Sequence, residues 1–163
     1  MNGPFKKIAV YVDGSEASLT AAMYAVVLAR TTGASLTALY VINTRALQDL
    51  VKARIFLQVE QDEYQHDLEA DADRYLKHVK KLGDQKGLTV ETVCVSGTVH
   101  REIKTQVKEL EADLLVVGGI SQIRSRRDEI MNETERAMRS VPCPVLIVKD
   151  EDNTWDLFES LQG

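Results

Sequence analysis

A chain of 163 residues that is 44% hydrophobic can bury one sizeable core and is too short to need two. Its formal charge of −5 argues against nucleic acid, which selects a concentrated basic face. No apolar run approaches the roughly 18 residues that a membrane span needs. The segment Met1 to Lys7 enters a strand with no apolar leader, so the expected setting is the cytoplasm.

Lys7 to Val12 reads as a strand of β-branched and apolar residues, turned by Asp13-Gly14-Ser15. Ser15 is placed to cap a helix running to about Thr32, where Gly33 supplies the stop. A second strand, Ser35 to Ile42, follows. The segment from Asn43 to Val59 is too apolar for a solvated loop and reads as a short helix or a lid. A long charged helix then spans Glu60 to Lys86, with Tyr64, Leu68, Tyr75, Leu76, Val79 and Leu82 as its buried stripe. Packing on a sheet is the commoner use of such a stripe, a coiled-coil seam the rarer one. Thr89 to Val95 is the third strand, and Gly97 and Thr98 open a helix through Val99, Ile103, Val107 and Leu110. Asp113 to Gly119 is a buried strand, followed by a polar loop, a helix and the final strand within Pro142 to Lys149.

Near-continuous apolar strands alternating with helices specify the α/β class: a single doubly wound, Rossmann-like parallel sheet with helices on both faces. Residues 1–149 form the domain, and 150–163 are an acidic, aromatic tail. In such sheets ligands bind beyond the carboxyl ends of the strands, where the winding reverses. That selects Asp13, Asn43, Ser96, Gly97 and the run Gly118 to Ser121. Asp13 either accepts from a ligand or caps its own turn, and the sequence leaves both open. The helix after the fourth strand has two possible starts, because Ser125-x-x-Asp128 and Asn132-x-x-Glu135 both resemble capping boxes. The face Ile130, Thr134, Ala137, Met138 and Val141 favours the earlier start, near Arg126. Arg124, Arg126 and Arg127 are either a solvated loop balanced by Asp128 and Glu129 or an anion-binding knot.

Cys94 and Cys143 are expected as small core residues in buried strands of a protein from a reducing compartment. His66, His78 and His100 lack a second ligand type at metal spacing and read as solvated, with no metal expected. Ser15 follows a glycine, but Asp-Gly-Ser-Glu-Ala lacks the second glycine of a nucleophile elbow. No catalytic pairing emerges, so an enzyme is not expected.

Four segments together resemble the universal stress protein (UspA) family: Ile8 to Ala17, Gly33 to Ile42, Ala112 to Gly118 and Val141 to Lys149. The resemblance implies five parallel strands in the order 3-2-1-4-5, with Asp13 and Gly118 lining one crevice. In the ATP-binding branch the adenine lies near the ends of the first two strands, here Val12, Asp13 and Val41. Its phosphate loop has glycine, two residues, glycine, nine residues, glycine and a hydroxyl residue. Those positions here are Gly118, Ser121, Met131 and Asn132, so one of the four matches. Met131 puts a flexible side chain where phosphate would sit, and Glu133 adds a like charge.

The resemblance therefore implies a dimeric stress-response protein that contacts other macromolecules, with ATP disfavoured as a cofactor. The alternative is an adenine-nucleotide module with a divergent phosphate loop. The fifth strand, Pro144 to Val148, is an apolar edge in this order and is expected to pair with its twofold mate in a homodimer. The tail around Trp155, Leu157, Phe158 and Leu161 would fold over that seam or onto the partner.

Overall fold

The computed structural model describes residues 3–44, 58–119 and 128–163, and the side chains of 3–44, 62–119 and 133–163. The first strand, β1 (Lys7–Tyr11), is central. Beside it lie β2 (Ser35–Asn43) and then β3 (Val90–Gly97) on one side, and β4 (Leu114–Gly118) and then β5 (Val145–Val148) on the other. All four pairings are parallel, and Val10 stands opposite both Ala38 and Val116. The sheet is thus the five-stranded 3-2-1-4-5 arrangement that the family resemblance implied.

That order dictates where the helices go. The chain winds outward from β1 to β3, returns past β1, and then winds outward to β5. A constant crossover hand therefore puts α1 (Glu16–Thr32) and α2 (Gln58–Gln85) on one face, and α3 (Val99–Glu109) and α4 (Asp128–Ser140) on the other. The first core layer joins Ile8, Val10 and Val12 to Ala22, Val26, Leu76 and Val79. The second joins Ala9, Tyr11, Leu39 and Val41 to Val99, Ile103, Val107 and Ala137. The layers separate because successive strand residues point to opposite faces.

The terminal signals of α1 are those read from the sequence. Ser15 Oγ accepts from Ser18 N at 3.1 Å, and Gly33 closes the helix at φ 76°. Its inner face is mostly alanine (Ala21, Ala22, Ala25 and Ala29, all fully buried), which brings the helix axis close to the sheet. Along α2 the stripe holds for Leu76, Val79 and Leu82, with Ala72 added, but Tyr64 is exposed. Its later turns pack on the sheet through Leu76, Val79 and Leu82, so that part of the stripe serves the sheet and not a coiled coil. Most of the segment from Asn43 to Val59, read as a short helix or lid, lies outside the described residues.

Three expectations need correction. The tail is a helix, α5 (Glu151–Ser160), whose Phe158 enters the core layer beneath α1 and whose Thr154 is buried beside it. Its C-terminal carbonyls attract cations: Arg30 donates to Gln162 O, and Lys86 Nζ donates to Leu161 O at 2.8 Å while lying 4.7 Å from the Phe158 ring. The tail is therefore fastened to α1 and to Lys86, just past the end of α2, rather than folded over β5.

The cysteines are the second. Cys94 is exposed, because β3 is an edge strand, and Cys143 is half-buried and precedes β5. The third is His100, which is not solvated but paired with Glu133, as described below. His66 and His78 are exposed on α2 as read. No helix among the described residues is long and apolar enough to cross a membrane.

Candidate functional site

The crevice predicted by the winding lies where β1 and β4 diverge. Tyr11 pairs with Leu39, Val12 N donates to Leu39 O at 2.9 Å, and Val10 pairs with Val116. This register sets Val12, Asp13, Val41 and Gly118 along one edge of the sheet. Ser121 lies outside the described residues, as do Arg124, Arg126 and Arg127.

Asp13 is exposed and its Oδ1 is occupied: it accepts from Ser15 N at 2.9 Å and from Ser15 Oγ at 2.6 Å. The Asp13 backbone N–H donates in turn to Ser18 Oγ at 3.2 Å. Asp13 thus organises the turn into α1 through this oxygen. Gly14 has φ 86°, and a Cβ there would meet the Tyr75 ring at 2.5 Å, so α2 covers this turn. Tyr75 stacks on Tyr40 of β2 with ring centroids 6.3 Å apart, and Arg74 lies 5.1 Å from the Tyr75 centroid. Burial, followed by the nearby Asp13 carboxylate, pushes the Tyr40 hydroxyl up to about 12. The same two causes raise Tyr11 on the opposite face, and both phenols stay neutral at physiological pH.

Gly118 is required by packing. A Cβ at this position would lie 2.6 Å from the backbone C and O of Ala17 and 2.9 Å from Ser18 N. The first turn of α1 therefore rests directly on the end of β4. The glycine that the sequence offered as a phosphate cradle is the one that lets α1 close on the sheet.

The other side of the crevice is built by α3 and α4. Thr98 occupies the N-cap of α3 but makes no side-chain capping bond. Glu133 supplies that bond from α4: its Oε2 accepts from His100 N at 3.0 Å and lies 2.6 Å from His100 Nδ1. Both side chains are largely shielded, 20% exposed for His100 and 16% for Glu133. Partial burial pushes the Glu133 carboxyl up, but the ring and backbone bonds from His100 outweigh it and hold the group below its ordinary value. Sequence reasoning gave Glu133 only as a charge opposing phosphate. Its real partner was hidden because residues 100 and 133 are brought together by the return of β4 between two helices.

Met131 and Asn132, the last two phosphate-loop positions, lie within the helical turns of α4 (Asp128–Ser140), while both Ser125 and Arg126, which bear on the earlier of the two starts, lie outside the described residues. A groove of about 520 Å3 lies apart from the crevice, between α2 and β3, bordered by Glu69, Asp73, Lys77, Lys80, Thr92 and Cys94. None of the sequence-predicted site residues lines it. Partial desolvation of the sulfur in this groove, and then Glu69 and Asp73, raise the thiol of the otherwise exposed Cys94, so little thiolate forms there near neutral pH.

The family model described as the universal stress protein family matches residues 4–149. The chain belongs to the universal stress protein family. The universal stress protein YxiE of Bacillus subtilis is 30% identical over 153 residues, spanning 89% of this chain and 99% of its own. Among solved structures, the universal stress protein UspA from Lactobacillus plantarum is 25% identical, with a TM-score of 0.72 over 90% of this chain and 99% of that one. A universal stress protein of Arabidopsis thaliana with AMP bound shares the fold at a TM-score of 0.64 and 17% identity, over 91% of this chain and 94% of that one. In this universal stress protein the matched region ends at Lys149, so α5 lies beyond the part that the family model describes.

Proposed function

We propose that this universal stress protein works without ATP, as a cytoplasmic stress-response homodimer that acts through contacts with other macromolecules and catalyses no reaction of its own. The observation that carries the reading is that Met131 and Asn132 lie inside α4 (Asp128–Ser140). A triphosphate cradle needs backbone N–H groups open to the ligand, whereas Met131 and Asn132 stand in helical turns. Glu133, one residue on, commits its carboxylate to α3.

The dimer rests on β5. It is an edge strand, and Ile147 on it is 39% exposed. An apolar edge with unpaired backbone groups is a hazard that an isologous antiparallel contact between two copies of Pro144 to Val148 removes.

A second reading, an adenine-nucleotide module, draws on the crevice edge at Val12, Asp13 and Val41. It also draws on the Arabidopsis relative, whose fold accommodates a nucleoside monophosphate. A monophosphate asks less of the loop than a triphosphate does.

Thermal denaturation with millimolar ATP, ADP and AMP separates these readings. A ligand present at 100 times its Kd adds about 2.7 kcal/mol. In a chain of this size that is a rise of roughly 5–10 °C. An unchanged midpoint with all three supports the ATP-independent reading, a rise with ATP overturns it, and a rise with AMP alone favours the second.

A further inference from the structure

The acidic character of this chain is not spread over it. Asp150, Glu151, Asp152, Asp156 and Glu159 are five of its 25 acidic residues, and the remaining 20 are matched by 20 Lys and Arg. Residues 150–163 contain no cation, so the whole formal charge of −5 resides in the appended helix and its flanks. Among the described residues no ion pair engages Glu151, Asp152, Asp156 or Glu159, although short-range pairs form elsewhere, as between Asp73 and Lys77.

In the midst of these carboxylates stands Trp155, the only tryptophan of the chain and 55% exposed. Helical spacing puts Glu151 and Asp152 one turn before it and Glu159 one turn after it, with Asp156 adjacent. These residues share an arc of about 140° at 100° per residue. The arc is not the face that fastens the helix. Thr154 and Phe158 do that, and Lys86 and Arg30 hold the C-terminal end. A firmly docked helix thus presents a large aromatic surface, ringed by uncompensated negative charge, that its own packing does not use.

From this we infer that the outer face of α5 is a docking surface for an arginine- or lysine-bearing segment of another protein. An indole face attracts a cation most strongly among aromatic rings, and flanking carboxylates supply hydrogen-bond acceptors for the same guanidinium. Tryptophan is among the residue types enriched at the energetic centre of interfaces. Nucleic acids and anionic lipid surfaces carry the wrong charge for this face. The inference gives a chemistry to the macromolecular contact proposed above and rests on that reading. It does not depend on nucleotide, so the two tests fail separately.

Because Trp155 is the only indole, its emission reports the surface directly. The probes are two synthetic peptides of equal length with leucines at helical spacing, one carrying arginines and the other glutamates at the polar positions. The full-length protein should give a saturable emission change with the arginine peptide and none with the glutamate peptide. Anisotropy of the labelled arginine peptide should show binding weakened roughly tenfold by Trp155→Ala, a typical cost for a central aromatic. Trp155→Phe should recover part of the loss. The double variant Asp152→Asn with Glu159→Gln should weaken binding and flatten its salt dependence.

Equal binding of both peptides, or equal binding by Trp155→Ala and the parent, would overturn the proposal. A fall in sedimentation mass on Trp155→Ala would do so as well, by making the face a contact between copies of this chain.

Discussion

Replacing Glu133 with alanine tests the crevice wall directly. In the structure one carboxylate oxygen accepts two bonds, from His100 N at 3.0 Å and from the His100 ring at 2.6 Å. The other oxygen meets the exposed Arg136 guanidinium at 3.5 Å, a contact that contributes little. A hydrogen bond to a charged group contributes about 1.5–3 kcal/mol net, and loss of a helix cap costs about 1 kcal/mol. The two bonds share an acceptor and are not additive, so the expected loss is about 2–3 kcal/mol. For this length it corresponds to a fall in melting temperature of roughly 5–10 °C. His100→Ala keeps the backbone bond and should cost less.

The loss also has a pH signature. The folded carboxyl is held below its unfolded value, so its stabilisation is complete above the unfolded value of about 4.3. It fades as pH falls through the lower, folded value. Melting curves of parent and Glu133→Ala between pH 7 and pH 3.5 should therefore converge toward acid. Midpoints within about 1 °C at pH 7, or a gap that widens on acidification, would refute the reasoning.

Gly118→Ala forces a Cβ to within 2.6 Å of the Ala17 backbone, so it should destabilise by about 1–3 kcal/mol in calorimetry whether or not nucleotide is present. Met131→Gly with Asn132→Ser should lower the helical propensity of the first turns of α4 and strengthen ATP binding at least tenfold, about 1.4 kcal/mol, in titration calorimetry. No gain in a folded variant would show that the crevice is closed by something other than these two residues. Ile147→Lys, in an exposed edge position, should halve the mass seen by light scattering at tens of micromolar protein, and an unchanged mass would defeat the β5 dimer. Cys94 should label slowly with a thiol reagent at pH 7 and faster as pH rises, in keeping with its raised thiol, and fast labelling at pH 7 would contradict it.

The fold was legible because its signals are local. Ser15 and Gly33 mark the ends of α1 through their own capping bonds, and the apolar runs at Ile8, Leu36 and Leu114 satisfy a sheet covered on both faces. What was not legible depends on which strand lies at an edge and which helices meet. Cys94 sits in a run that reads as buried, yet β3 has a neighbour on one side only. Phe158 and Trp155 look alike in sequence, but Phe158 enters the core while Trp155 stands 55% exposed, a distinction set by which side of α5 faces the domain. Gly118 was found by the right rule for a partly different reason: the close approach that excludes a Cβ is that of α1.

The helical setting of Met131 and Asn132 and the bare N-cap of α3 are connected. Thr98 leaves the first N–H groups of α3 without a side-chain partner. With Asp128 to Asn132 already helical, Glu133 stands within α4, where an ordered backbone can aim the carboxylate at a neighbouring helix. Had α4 begun after Asn132, Glu133 would stand at its first position, and its charge would favour the N-terminus of its own helix. The two arrangements therefore compete for one carboxylate. In the first, α3 is capped and the loop positions Met131 and Asn132 are helical; in the second, the loop is open and α3 is uncapped. Methionine has good helix propensity where the family pattern has glycine, so the sequence itself biases the choice toward the first arrangement.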